Sequence, residues 1–321
     1  MITIKEALTK KEMKDYVMFS FELYKNNQYW IPPIIAEELE TFDKTKNPAL
    51  QTAEAHFYLA YKDNKIVGKI AAIINWEEVN LLGKRKARFG WFDVIDDIEV
   101  TKVLLNKVEE LGRKHNMDHM EGPMGFSNLD KVGVLSEGFD QLGNMITWYS
   151  LPYYITHFEQ LGLVKEKEYI ESDFSFNGIN PEPFQKASEL IKKRYELRCL
   201  NFTKTKDIMP YVDKMFDLFN ETYSKLQSFV PINDIQKEYF KKKYIGFINP
   251  EFIKFIMDKD DNMVAFAIVM PGFAQALKKA NGKLFPFGFY HLLQARKHSK
   301  EIVFYLIGIT PEYQSKDVTA I

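Results

Sequence analysis

Short apolar blocks along the first third of the chain predict strands at residues 2–5, 56–61, 66–75 and 87–94. Met13, Val17, Phe21 and Tyr24, with Tyr16 beside them, recur at helical spacing and predict a helix over 10–25. Tandem Pro32-Pro33 stops that helix, because proline offers no amide hydrogen to continue it. A second helix is expected at 34–42. Lys62-Asp63-Asn64-Lys65 has the residue types of a tight turn, so 56–75 reads as an antiparallel hairpin. Val100, Val103, Leu104, Val108 and Leu111 line one face of a helix over 99–115. A short strand at 118–121, a helix at 153–162 and a closing hairpin at 163–176 complete the first half.

Asn180-Pro181-Glu182-Pro183 carries the signals of a linker and a new helix start. Beyond it the element order repeats: helix 184–194, strand 197–202, helices 207–226 and 234–244, then a hairpin of strands 252–257 and 263–269 around the turn 258–262. An insertion over 271–298 precedes a last strand, 302–309. Ile302 to Ile309 is an unbroken apolar run, rich in β-branched and aromatic residues and short for a helix, which reads as a buried strand. The repeat predicts an α+β protein of two domains, 1–177 and 178–321, each a sheet flanked by helices.

After the last strand, Thr310-Pro311-Glu312-Tyr313 breaks the pattern, and Gln314-Ser315-Lys316 leads into what reads as a helix start at Val318. Strand, tight loop and helix N-terminus is a geometry that binds phosphate, because free amides and the helix dipole face the anion. The stretch resembles the acyl-CoA-binding motif of the GNAT superfamily of N-acyltransferases, Gln/Arg-x-x-Gly-x-Gly/Ala after a strand ending Val-x-Pro-x-Tyr. Ile309, Pro311, Tyr313 and Gln314 match; Asp317 stands where glycine is expected, and Thr319 where glycine or alanine is. The sequence stops two residues after Thr319, so the second domain is expected to lack the strand and helix that follow in that family. Gly122-Pro123-Met124, Glu137-Gly138-Phe139-Asp140, Pro152-Tyr153-Tyr154 and Leu284-Phe285-Pro286-Phe287-Gly288 are similar to a bacterial group of tandem GNAT-like proteins.

The resemblance implies an acetyl-CoA or other acyl-CoA donor and an amine acceptor. Backbone groups of Ile307 and Ile309 would pair with the pantetheine arm as an added strand does. Amides of Gln314, Ser315, Lys316, Asp317, Val318 and Thr319 would take the pyrophosphate. The loop 226–231, with Phe229, and Tyr305 on the last strand would face the acceptor. The first domain's equivalent loop, 94–100, holds Asp96, Asp97 and Glu99 and no glycine, and Phe158 replaces a tyrosine of the family's fourth helix. That domain is therefore expected to be a scaffold. No general base can be named: the last strand has no Asp or Glu.

Composition narrows the alternatives. Lys and Arg number 43 against 44 Asp and Glu, a formal charge of −1, so no chain-wide basic field attracts nucleic acid. This weighs against a Fem-type aminoacyl transferase that uses charged tRNA. A non-catalytic binding or scaffold protein on a degenerate tandem fold stays open. One cysteine, Cys199, rules out an internal disulfide, and the scattered histidines give no metal cluster, so no metal is expected. No apolar run spans a bilayer; a cytoplasmic protein with no membrane partner is expected. Self-association through the open edge of the last strand is a further expectation.

Overall fold

The computed structural model describes residues 1–321 except 128, 227, 246 and 247. In the first half the chain runs β1 (Ile2–Glu6), α1 (Lys10–Leu23), α2 (Ile35–Thr41), α3 (Ala49–Thr52), β2 (Ala53–Lys62), β3 (Lys65–Asn75), α4 (Trp76–Leu82), β4 (Lys86–Val94), α5 (Ile98–Lys114), β5 (His119–Glu121) and α6 (Tyr153–Gln160). The second half runs α7 (Glu182–Arg194), β6 (Arg198–Leu200), α8 (Thr205–Ile208), α9 (Val212–Tyr223), α10 (Asp234–Phe240), β7 (Ile253–Met257), β8 (Met263–Pro271), α11 (Ala274–Ala280), α12 (Gly288–His298) and β9 (Ile302–Ile309).

Local chemistry accounts for the boundaries. Thr9 and Glu12 form a reciprocal capping box at the start of α1: the Glu12 amide donates to Thr9 Oγ1 at 3.2 Å and the Thr9 amide to Glu12 Oε2 at 2.9 Å. Asn233 and Gln236 repeat it at α10. Asp63 and Asn64 both adopt left-handed φ, 52° and 61°, which gives the two-residue turn the twist of its flanking strands.

The chain forms two units. The first comprises residues 1–164, 228–230 and 272–299; the second comprises 165–227, 231–271 and 300–321. The units therefore do not follow a linear boundary at 177/178, and the helical hairpin α11–α12 belongs with the first. Each unit holds its own sheet. The first is five-stranded in the order β1-β2-β3-β4-β5, antiparallel except for the parallel pair β4 and β5. The second is four-stranded and antiparallel, β6-β7-β8-β9.

In the first unit β3 sits mid-sheet and buries both faces. Ile70, Ala72 and Ile74 pack with Val100, Leu104 and Val108 of α5. Ala71 and Ile73 point the other way, into the cluster of Tyr16, Val17, Phe57 and Trp91. The two-residue alternation of a strand divides the core into these two layers. One end of β4 is polar and still buried. Arg88 Nε donates to Glu78 Oε2 at 2.8 Å, Arg88 Nη1 to the Gly125 carbonyl at 3.1 Å, and Arg88 Nη2 to the Ser228 carbonyl at 3.0 Å. Lys86 donates to Glu121 Oε2 at 2.6 Å. Its ammonium also lies 3.1 Å from Glu78 Oε1, off the hydrogen-bond axis, as an ion pair.

Several expectations need correction. Residues 163–176 form no closing hairpin: no strand lies there and 164–181 are exposed throughout. Lys165 to Glu168 and Glu171 to Asp173 leave that segment too polar to bury a face. The helix expected over 207–226 is broken into α8, a 3₁₀ turn containing Pro210, and α9. The insertion 271–298 contains two helices, α11 and α12. β9 is not a buried strand: of its eight residues only Gly308 is buried. It ends the order of the second sheet, so among the described residues no strand pairs with its outer edge.

Among the described residues, Glu78 is the one carboxylate that pairs with both buried cations, Lys86 and Arg88. Glu78→Gln leaves them one counter-charge short, and the expected loss of stability is about 3–5 kcal/mol. Urea unfolding with an unchanged midpoint would show that the cluster is not what holds α4 to β4.

Candidate functional site

The last turn of α9 and the end of β9 face each other across a cavity of about 420 Å³, the size of small-molecule sites. Thr222, Tyr223 and Leu226 line it from the helical side, Ile307, Gly308 and Ile309 from the strand, and Gln314 and Thr319 from the turn that follows. Register sets the strand in place: Ala265 pairs with Ile309, Phe266 with Gly308 and Ala267 with Ile307. Gly308 is needed because a Cβ there would lie 2.3 Å from the Phe266 ring and 2.9 Å from Thr222 Oγ1. Helix and strand approach too closely for any side chain at this point.

Tyr223 controls the strand's open edge. Its hydroxyl donates to the Ile307 carbonyl at 3.1 Å and accepts from the Ile307 amide at 3.4 Å. Its ring stacks on Phe219, one turn earlier, with centroids 4.2 Å apart. Burial pushes the phenol's pKa up, so it stays protonated at neutral pH. Next along the edge, Gln314 Nε2 donates to the Ile309 carbonyl at 3.1 Å. The backbone groups that the sequence reading gave to a pantetheine arm are thus occupied by two side chains of the chain itself.

The turn after β9 runs through a 3₁₀ segment, Pro311–Tyr313, into a second one, Val318–Ala320, rather than an α-helix. Between them Asp317 takes φ 54°, the left-handed conformation that glycine adopts without strain. Val318 is a core side chain, packed with Leu197, Ile256 and Val264. Lys316 turns away from the loop: it pairs with Glu312 at 2.9 Å and lies 4.0 Å over the Tyr313 ring. The Glu312 hydrogen bond raises its pKa. Ser315 is exposed, and Tyr305 is half-buried and outside the cavity lining. Phe229 is buried and belongs to the first unit, while Gln227 of the same expected loop lies outside the described residues.

Of the positions expected from sequence, the structure gathers Ile307, Ile309, Gln314 and Thr319 around one cavity. Sequence reasoning missed Thr222, Tyr223 and Gly308. The signal for Tyr223 was available: Phe219 and Tyr223 are four apart, so both fall on the face that α9 turns inward. What they would meet there was not legible.

The first unit offers a contrast. The edge of β4 near its end is also closed by tyrosine hydroxyls: Tyr153 donates to the Val94 carbonyl at 2.6 Å, and Tyr154 accepts from the Val94 amide at 3.0 Å. Tyr154 and Tyr24 both reach Asp93 Oδ1, at 3.2 and 3.0 Å, and Ser20 donates to Oδ2 at 2.6 Å. Burial, then the Asp93 charge, drives the pKa of Tyr24 and Tyr154 well up. In the loop that follows, Asp97 Oδ1 accepts from the Glu99 amide at 3.1 Å and Oδ2 pairs with Lys62 at 2.8 Å. A carboxylate already fills the helix N-terminus that an anion would use.

No family model matches the chain. Protein YghO of Escherichia coli K12 is 27% identical over 318 residues, which span 97% of this chain and 79% of that protein. A bacterial ceramide synthase of Caulobacter vibrioides is 24% identical over 311 residues, 96% of this chain and 80% of that one. Among solved structures, a tandem GNAT protein from the clavulanic acid biosynthesis pathway superposes with a TM-score of 0.44 at 11% identity, over 84% of this chain and 74% of that one. A GCN5-related glucosamine N-acetyltransferase region of a fungal multi-domain β-N-acetylglucosaminidase superposes with a TM-score of 0.50 at 9% identity. That match covers 98% of this chain and 32% of the larger protein, so it takes in both units. The chain has the fold of the GCN5-related N-acetyltransferases, the GNAT fold, in tandem.

Proposed function

We propose that this chain transfers an acyl group from a coenzyme A thioester to an amine, with the donor held by the second unit. The observation that carries the reading is the cavity beside β9, where Ile307, Ile309, Gln314 and Thr319 of the acyl-CoA-like motif meet. The first unit, with its edge locked by Tyr153 and Tyr154 and its loop filled by Asp97, serves as scaffold.

Amide formation sets the requirements. The amine lone pair attacks the thioester carbonyl carbon, a C–N bond forms, the C–S bond breaks, and the nitrogen's extra proton leaves as the thiolate gains one. Residues 302–309 hold no carboxylate to act as base. The protonated phenol of Tyr223 lines the cavity and supplies a proton for the leaving thiolate. For that the donor's amide replaces the hydroxyl at Ile307, and the freed hydroxyl turns into the cavity.

The similarity to a protein named as a ceramide synthase supports a lipid acceptor. A ceramide is the amide of a fatty acid with a long-chain amine, and the resemblance extends over 96% of this chain. The acceptor in this reading is a long-chain amine and the acyl group a fatty one.

Calorimetric titration with acetyl-CoA and with a long-chain acyl-CoA, followed by mass spectrometry of the amide formed, tests the reading. Absence of binding by either thioester, in the parent chain and in Asp317→Gly, would sink it. Asp317→Gly is expected to tighten donor binding by about tenfold because it removes a carboxylate beside the pyrophosphate; the left-handed strain it relieves, roughly 1–2 kcal/mol, is present without donor and adds to stability instead.

Tyr223→Phe separates two roles. The donor no longer has to displace a hydroxyl from Ile307, worth about 1 kcal/mol, so affinity rises by about fivefold. Loss of the proton donor lowers kcat by about a hundredfold. If binding and kcat both stay unchanged, Tyr223 neither guards the edge nor moves a proton.

A further inference from the structure

The net charge of the whole chain conceals one uneven stretch. Residues 272–299 carry five Lys or Arg and no Asp or Glu. They fold as the hairpin α11–α12 of the first unit. The hairpin is anchored along one side, up to the first residues of its connecting loop. Ala276, Ala280 and Leu292 are buried, the Gly282 carbonyl accepts from the Ile35 amide at 2.9 Å, and Lys278 bonds the Gln28 carbonyl. Gly282 packs so closely on Phe21 and Ile35 that a Cβ would come within 3 Å of both.

The rest of the connecting loop, beyond Gly282, is built the opposite way. The Phe289 amide donates to the Leu284 carbonyl at 2.7 Å, and a Cβ on Gly288 would strike the Lys283 carbonyl at 1.9 Å. This tight closure holds residues 284–287 as an ordered tip. On it Phe285 is 77% exposed and Phe287 71%, and Phe289, Tyr290 and Leu293 continue the apolar surface along α12. The rings of Phe285 and Phe289 pack against each other at a tilt, with centroids 5.6 Å apart, and both stay exposed. Exposed Lys283 stands at one end of this surface and exposed Lys297 at the other.

We propose that the α11–α12 hairpin is a membrane-docking element that inserts its aromatic tip into the interface of an anionic lipid bilayer. Bulky aromatics on a rigid tip enter the boundary between headgroups and acyl chains, while flanking lysines pair with lipid phosphates. The charge distribution selects the partner: a segment with cations at both ends and no acids suits an anionic surface. An apolar tip suits hydrocarbon rather than the phosphate backbone of a nucleic acid. α12 has 11 residues, too few to cross a bilayer, so contact is interfacial. The proposal does not depend on the acyl-transfer reading, and its test uses no donor or acceptor.

The test is co-sedimentation of the full chain with vesicles of phosphatidylcholine alone and of phosphatidylcholine mixed with phosphatidylglycerol. The expected result is partition onto the mixed vesicles, weaker on the neutral ones and reduced by salt. Phe285→Ser with Phe287→Ser lowers partition by roughly tenfold or more, and Lys283→Glu by about fivefold. Circular dichroism checks that these exposed substitutions leave the fold intact. No partition onto either vesicle, or equal partition of parent and Phe variants, overturns the proposal. So does a dimer that the Phe substitutions dissolve without any lipid binding, which would make a second copy the occupant. Binding of single-stranded RNA that the same substitutions abolish, in place of lipid binding, also overturns it.

Discussion

A stretch of strand with no neighbour on one side leaves amides and carbonyls to satisfy, and each unit here has one, at Val94 of β4 beyond its short pairing with β5 and at Ile307 of β9. Both answer with tyrosine hydroxyls, since a phenol can donate to a carbonyl and accept from an amide of the same residue. In the first unit the hydroxyls of Tyr153 and Tyr154 close on Val94, and Tyr154 is itself held by Asp93. In the second a single hydroxyl, that of Tyr223, serves both groups of Ile307 beside a cavity. One closure is buried within a polar network; the other borders open space. That difference separates a scaffold edge from one able to accept a ligand, and the proposed division of labour depends on it.

The loops beyond the two edges differ in the same sense. Asp97 is spent on capping α5 and pairing with Lys62, so the first loop has its anion already. Asp317 occupies a left-handed turn without a capping hydrogen bond from its side chain. Lys316, whose charge could offset it, is committed to Glu312 and to the Tyr313 ring. The second loop puts a carboxylate on its one left-handed residue. For this reason substitution at Asp317 is a sharper probe than substitution at residues whose side chains point elsewhere.

Much of the fold was legible because its signals are local. Short apolar blocks mark β2 and β3, helical spacing marks α1 and α5, and Asp63-Asn64 marks the turn between strands. The apolar run 302–309 was legible as a strand but not as an exposed one: burial depends on neighbours, and none of them is encoded within those eight residues. The hairpin expected at 163–176 came from the order of elements alone, and the charged residues 165–168 and 171–173 leave it no face to bury. At the site, the motif located Ile307, Ile309, Gln314 and Thr319. It could not reveal Tyr223, whose role comes from a helix that lies over 80 residues earlier in the chain. Gly308 reads as an ordinary strand residue until the Phe266 ring is seen against it.

The assignment of residues 228–230 and 272–299 to the first unit bears on how the protein is made. Synthesis proceeds from the N-terminus, and domains of a simple tandem fold one after the other as they emerge. Here the Arg88 guanidinium meets its Ser228 carbonyl only once translation is well into the second half. The α11–α12 hairpin comes later still, between the strands β8 and β9 of the other sheet. Neither half of the gene encodes a finished unit. The first waits for residue 299 to leave the ribosome, by which time every strand of the second except β9 has been made.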